Sequence, residues 1–469
     1  MASHSVNRGV RLLPALVVFA ICPMAAHSQT LTDPTVEIQT IINTDISLPT
    51  GIAFLGFNEF LLIEKSTGRV KHIVDGQLVA TVLDLPVNPD SERGLLGITL
   101  HPDFELNSSV YLYYSRAESD GASWIENRVS RFTWTGVDLI DETLIISFPF
   151  DATQVNGPNH DGGIILFGPD GKLYGITGDL NRNRLEQNQS ASAIAGVGGV
   201  FRLNDDGSTP ADNPFFAHAN ASIRQLYAYG IRNSFGLTFD PQTGNFWDTE
   251  NGPSSYDEVN LVPPGFNSGW SRIMGPDSRD PENIEDLIQI PGSNYVDPKL
   301  SFLAPVAVTA LAFIDGDIMP PSWQNTLVMG DANTGNFYRF TLNAARDTIV
   351  LTGDVADLVA DTVAERNSLR IGSSFGVSTD LEIGPDGSLY QVSLSGAVRR
   401  IGPVRTPGDL DCNGSVTLDD LLPFSQALTA PLEFIGDNPA CDIWRADVNS
   451  DGAINALDIA PMVTLILNS

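Results

Sequence analysis

Asn159-His160-Asp161-Gly162-Gly163-Ile164-Ile165-Leu166-Phe167-Gly168-Pro169-Asp170-Gly171-Lys172-Leu173-Tyr174-Gly175-Ile176-Thr177-Gly178-Asp179 carries two short apolar runs on either side of Gly168-Pro169-Asp170-Gly171. Proline presets φ at the second position of a turn, and Gly171 tolerates the positive φ that follows a type I turn. The stretch predicts a β-hairpin with a three-residue loop and a bulge. Paired residue numbers then sum to 339 or 340, depending on the bulge. His160 and Asp179 sum to 339, so both fall at the open mouth of one hairpin. An imidazole beside a carboxylate suits a general base held in one tautomer. Whether both share one face depends on the bulge, and a histidine and an aspartate in unrelated loops is the alternative reading at this point.

The pattern of apolar strand, Pro/Asp/Asn/Gly turn and aromatic-bearing strand recurs. It runs from Ile52-Ala53-Phe54 to Leu61-Leu62-Ile63, and from Ile98-Thr99-Leu100 to Val110-Tyr111-Leu112-Tyr113-Tyr114. The opening stretch is the third copy. Later copies are Leu237 to Trp247, Leu311-Ala312-Phe313 to Thr326-Leu327-Val328, and Leu381 to Tyr390. No copy is large enough to bury its own apolar face, so the copies must pack on one another. Radial packing leaves only short, protected edges, and six copies predict an all-β six-bladed β-propeller. The copies begin near residues 53, 98, 166, 238, 312 and 382. Most of these intervals exceed a compact blade of about 40–50 residues, so long loops decorate one face. A β-sandwich pair is the rival architecture, and six similar copies fit it poorly. The propeller is expected over residues 29–402, with a short linker at 403–407.

Lys plus Arg total 26 against 57 Asp plus Glu in 469 residues, a net charge of −31. That balance argues strongly against nucleic acid or an anionic membrane surface as partner. Residues 1–28 read as an export signal: Arg8 and Arg11, an apolar run from Leu12 to Ala26, then small residues at Ala26-His27-Ser28, leaving Gln29 as the expected mature start. The run is short of the roughly 20 residues a membrane span needs. Bulky Ile21 before Cys22 argues against a lipid anchor there. A secreted, extracellular, periplasmic or cell-surface protein with no transmembrane segment is expected. Cleavage leaves Cys412 and Cys441, which read as one disulfide.

Residues 409–420 and 447–458 form two calcium loops at matching offsets. Asp409, Asp411, Asn413 and Asp420 supply oxygens at positions one, three, five and twelve, and Asp447, Asn449, Asp451 and Asp458 repeat them. The carbonyls of Ser415 and Ala453 and the side chains of Thr417 and Asn455 complete the shells. The twelfth residue is Asp rather than the Glu of an EF-hand. In this the region resembles the paired loop-helix repeats of dockerin domains. The resemblance covers residues 408–469 and implies a small α-helical module that folds on two calcium ions and docks onto a cohesin-like or cell-surface protein.

The propeller motifs also resemble a family. Glu92-Arg93-Gly94-Leu95-Leu96-Gly97, His101-Pro102-Asp103-Phe104, Asn159-His160-Asp161-Gly162-Gly163, Gly230-Ile231-Arg232-Asn233, Glu250-Asn251-Gly252-Pro253, Asp257-Glu258-Val259-Asn260 and Gly265-Phe266-Asn267-Ser268-Gly269-Trp270 fall in order. Together they resemble the soluble glucose/sorbosone dehydrogenases, calcium-dependent propellers that oxidise aldose sugars with pyrroloquinoline quinone. By that resemblance His160 is the general base, Asp179 its orienting carboxylate and Arg232 the cation beside the quinone carbonyl. Asn233 and Glu92 match cofactor-contacting positions, with Glu92 replacing a glutamine. The carbonyls of Gly252 and Pro253 match the ligands of the cofactor calcium, and Asp257 and Glu258 read as turn and supporting carboxylates. Three family cations for the cofactor carboxylates are missing, their positions falling at Asn333, Val377 and Thr379. Each charged hydrogen bond so lost is worth about 1.5–3 kcal/mol. Arg366, Arg370, Arg399 and Arg400 stand nearby in the chain as substitutes. The expected function is a secreted quinoprotein sugar dehydrogenase. A non-catalytic propeller binding carbohydrate or protein is the alternative, and a hydrolase or lactonase has only fold analogy behind it.

Overall fold

Each of the six predicted hairpins forms, and each is the inner pair of its own sheet. The structure is a computed structural model describing residues 28–149, 151, 159–182, 188–189 and 196–468. The export-signal reading of residues 1–28 therefore lies outside the described residues, apart from Ser28. The inner strands are Pro49–Gly56, Leu95–Leu100, Ile165–Phe167, Ser234–Phe239, Val308–Ile314 and Ser378–Ile383. Each packs on the next, and the last packs on the first, so six sheets close into a ring. The result is a β-propeller followed by a helical C-terminal region.

In the third hairpin Ile165 pairs with Gly175, Leu166 with Tyr174 and Phe167 with Leu173. The sum is 340, which chooses between the two registers left open above. The loop closes with Gly171 N donating to Gly168 O at 2.9 Å, and Gly171 sits at φ +70° as the turn requires. His160 stands outside the strand, at φ +63°.

The strand Val36–Ile42 pairs antiparallel with Ala397–Pro403 and completes the sixth sheet, joining the two ends of the ring. No turn or spacing signal in the chain marks this pairing of distant segments. Pro403 lies within the strand rather than in the linker expected at 403–407.

The inner strands enclose a central channel. A chamber of about 610 Å³ at one end includes Leu100, Phe167, Phe239 and Phe313, and a cavity of about 240 Å³ lies toward the other end, beside His160's hairpin. The C-terminal region contains helices Leu421–Thr429, Pro431–Asp437 and Ile459–Asn468 and the Cys412–Cys441 disulfide. Pro423 and Pro461 each lie in the first turn of a helix, where no amide donor is needed. No helix among the described residues is long and apolar enough to cross a membrane.

Candidate active site

The backbone gathers the site before any side chain does. Gly178, just past the strand Leu173–Thr177, runs so close to its neighbours that a Cβ there would stand 2.3 Å from His160 O and 2.8 Å from Arg232 O. Asp179 N donates to Arg232 O at 2.9 Å. The two arms of one hairpin and the distant Arg232 segment are thereby drawn together.

His160 Nδ1 lies 2.6 Å from Asp179 Oδ1. A buried carboxylate partner assigns the proton to Nδ1 and leaves Nε2 as the acceptor. Asp179 is fully buried and fixed by Trp270 Nε1 at 3.0 Å and Asn181 N at 2.8 Å. Arg232 Nη2 donates to His160 Nε2 at 2.9 Å, and its Nη1 donates to Asn251 O at 2.8 Å. Burial lowers the Arg232 pKa, with the carboxylates around it acting in opposition. The guanidinium also lies over the Trp270 ring, 5.6 Å from its centroid.

Glu92 Oε2 accepts three bonds, from His160 N at 2.8 Å, Asn233 Nδ2 at 3.1 Å and Asp161 N at 3.2 Å. It ties the left-handed backbone of His160 to Asn233. Asp161 is completely buried, and its carboxyl is pushed up to about 7 by loss of solvent.

Gly252 and Pro253 follow Asn251 on the far side of Arg232. Asp257 accepts from Gly252 N at 3.0 Å and Ala307 N at 2.6 Å, which fits its reading as a loop-shaping carboxylate. Further acids lie behind this loop, where no motif had pointed to them as a group. Asp248 and Glu250 lie opposite Asn260 and Glu258 across paired strands, all of them buried. Burial pushes Asp248 and Glu250 up to about 8 and Glu258 well above its usual range. Glu250 accepts from Arg232 N at 2.7 Å and so supports the guanidinium-bearing turn.

Val377 and Thr379 do line the 240 Å³ cavity, while Asn333 Nδ2 is turned to Pro305 O at 3.3 Å. The four arginines considered as substitutes are elsewhere. Arg400 is buried against Asp386 and Asp442, Arg399 donates to Gln391 Oε1, Arg366 donates to Ala304 O, and Arg370 is exposed on a strand. Lys65 is the one cation among the cavity's described lining residues. A lone lysine at a strand end carries no spacing signal, so the chain read as text does not single it out.

In the C-terminal loops, ligand atoms of Asp409, Asp411 and Asp420 lie within 4.8 Å of one another. Asp409 Oδ1 is buried with no hydrogen-bond partner, an arrangement that suits a cation. Asn413 Oδ1 and Thr417 Oγ1 each accept an amide within the loop, from Ser415 and Asp419. In the second loop Asp447 accepts from Asp451 N, Asn449 donates to Asp451, and Asp458 accepts from Asn449 N and Asn455 N. Ala453 N is held by Asp451, leaving its carbonyl for a ligand role.

Two family models match this chain. Residues 46–398 match the family model described as glucose/sorbosone dehydrogenase, and residues 407–467 match the dockerin type I domain. The chain is 27% identical over 396 residues to the aldose sugar dehydrogenase YliI of Escherichia coli K12, covering 82% of this chain and 98% of that one. It is 31% identical over 259 residues to quinoprotein glucose dehydrogenase B of Acinetobacter calcoaceticus, covering 50% and 52%. A solved oxidoreductase from Thermus thermophilus, described as a glucose dehydrogenase, superposes with a TM-score of 0.61 at 26% identity, covering 78% of this chain and 99% of that one.

Proposed function

The chain belongs to the glucose/sorbosone dehydrogenase family, and from that premise we propose a secreted quinoprotein that oxidises aldose sugars by hydride transfer to pyrroloquinoline quinone, with each of the six sheets serving as one blade. The observation that carries this reading is the His160 imidazole, with Nδ1–H on a buried Asp179 and Nε2 aimed at Arg232. That is a base in the correct tautomer beside a fixed positive charge.

The cavity fits the flat body of the cofactor. Its walls include Leu96, Ile164, Phe235 and Val377, with Glu92 and Lys65 as charged groups. Glu92 and Asn233 are the expected edge contacts, and the carbonyls of Gly252 and Pro253 are the expected calcium ligands. Bound pyrroloquinoline quinone supplies a two-electron carbonyl acceptor. The chain's own part is proton management. A sugar hydroxyl that displaces Arg232 Nη2 from His160 Nε2 takes over that lone pair and gives up its proton to it. Asp179 stabilises the resulting imidazolium, and the released guanidinium is free to face developing negative charge. The C-terminal module binds two calcium ions and takes a cohesin-like or cell-surface protein. A calcium-dependent pull-down with the full chain tests that role, and no binder from the native surface counts against it.

The second reading, a non-catalytic carbohydrate- or protein-binding propeller, is favoured by Val377 and Thr379 at positions where cations are expected. One assay separates the two. Purified protein is loaded with the quinone and calcium, and dye reduction is followed across a panel of aldoses. Saturable turnover is expected in the wild type, with a loss of about 10²–10⁴-fold in His160→Ala. No saturable quinone binding would leave the binding module.

A further inference from the structure

Lys65 follows the strand Glu59–Glu64 of the first sheet, whose inner strand packs directly on that of the sixth sheet, where Thr379 lies. Its backbone is fixed by Lys65 N donating to Leu48 O at 3.0 Å and by Leu95 N donating to Lys65 O at 2.9 Å. The Glu92-Arg93-Gly94 turn folds against it. A Cβ on Gly94 would stand 2.1 Å from Lys65 O and 2.8 Å from Lys65 Cγ, and Gly94 has φ +146°. Glycine at 94 is thus what lets the lysine stem lie between this turn and the cavity.

The side chain is half-buried and lines the same cavity as Glu92, Val377 and Thr379. Its ammonium donates to Pro89 O at 3.1 Å and, among the described residues, forms no ion pair. Burial lowers its pKa, while Asp161 and Glu92 oppose that shift from beyond contact distance. A desolvated ammonium with a single carbonyl partner has donors to spare. An anion arriving in the cavity would meet it with a short, charge-assisted hydrogen bond.

We propose that Lys65 is the anchoring cation for a carboxylate of the quinone, supplied from the first sheet in place of the cations absent at Asn333, Val377 and Thr379. The proposal rests on the quinoprotein reading above and assigns Lys65 a binding role, not a part in proton transfer. It also bears on which quinone the site accepts. Lys65 would give one carboxylate an ionic partner, and Val377 and Thr379 would give the others none, so the cavity would favour a quinone with fewer carboxylates more than a site with all three cations would.

Equilibrium titration of the full chain with pyrroloquinoline quinone and calcium, read by tryptophan fluorescence, tests this without turnover. Wild type is expected to bind saturably. Lys65→Met should weaken the dissociation constant by about 10- to 100-fold, and Lys65→Arg should restore it to within about threefold. The trimethyl ester of the quinone gives a second measurement that needs no variant to fold. Wild type should lose a comparable factor on the ester, and Lys65→Met should lose little beyond it. Saturable wild-type binding with equal affinity in Lys65→Met, or equal wild-type affinity for acid and ester, would overturn the role of Lys65 and leave the quinoprotein reading standing. Absence of wild-type binding would overturn both.

Discussion

Asp161 shows how a residue beside the base can matter without touching substrate. Its Oδ1 accepts from Asn127 at 2.8 Å, while its Oδ2 is buried with no partner. Burial pushes the carboxyl up to about 7, against the Asn127 hydrogen bond and with the nearby Glu92 charge adding to the rise. In the unfolded chain the same group titrates at about 3.9. Below about pH 4 both states are protonated and the group costs nothing. From there to about pH 7 the unfolded chain ionises while the folded one holds its proton, so stability is lost progressively until the folded carboxyl itself titrates. The loss is on the order of 4 kcal/mol at most, at about 1.36 kcal/mol per pKa unit. Asp161→Asn should remove that slope while carrying a pH-independent cost for its unpartnered amide. Across about pH 5 to 8, the melting temperature should therefore fall more steeply for wild type than for the variant. Parallel curves would show that Asp161 is not the source.

At the scale of elements, the site depends on close backbone approach at Gly178. Alanine there would drive its methyl into the carbonyls of His160 and Arg232, forcing apart the two residues whose side chains meet at 2.9 Å. Gly178→Ala should destabilise the chain by about 1–3 kcal/mol in urea unfolding. It should also cut sugar-dependent dye reduction by about tenfold or more, since an ångström of misplacement is enough. Wild-type stability and turnover would show that the segment yields freely. The hairpins themselves were legible because Gly168-Pro169-Asp170-Gly171 and Gly384-Pro385-Asp386-Gly387 encode their turns locally. The family resemblance named His160 and Asp179 as base and orienting carboxylate, while spacing alone left their pairing as a pair of registers. Choosing between them took the bulge geometry, and His160 contacts Asp179 from outside the ladder. Lys65 was not legible, because what places it is which sheets become neighbours in the ring. The role of Trp270 and the Asp248–Glu250 pair were not, because they depend on strand pairings within single sheets that no turn signal marks. Val36–Ile42 is the extreme case, an ordinary alternating strand whose partner, Ala397–Pro403, lies at the opposite end of the propeller sequence.

The whole molecule joins its two parts through a buried contact rather than a tether. Phe424, Phe434 and Trp444 of the C-terminal module pack into one apolar cluster with Ile42, Phe60, Leu62 and Val398 of the first and sixth sheets. At its centre Arg400, fully buried, donates to Asp386 at 2.9 Å and to Asp442 at 2.7 Å, and Trp444 Nε1 reaches Asp386 at 3.0 Å. Asp386 belongs to the last hairpin turn and Asp442 to the module, so one cation joins both. The two loops proposed to hold calcium lie against the same seam. Asp447 accepts from Gln39 of the ring-closing strand at 3.3 Å, Arg405 stands 3.6 Å from it, and Arg445 pairs with Asp409. Emptying the loops should loosen the module's fold and with it the apolar cover over the joint between the first and last sheets. Calcium chelation should therefore lower the melting midpoint of the propeller, not only that of the tail, by about 5 °C or more in calorimetry. The unfolding should remain one transition with calcium present. A calcium-sensitive minor transition beside an unchanged major one would mean that the module and the ring unfold independently despite Arg400. A shared shift that Asp420→Ala reproduces with calcium present would make calcium held in the tail, rather than at Gly252 and Pro253, a determinant of the propeller's stability, transmitted through the Arg400 seam where the two parts touch.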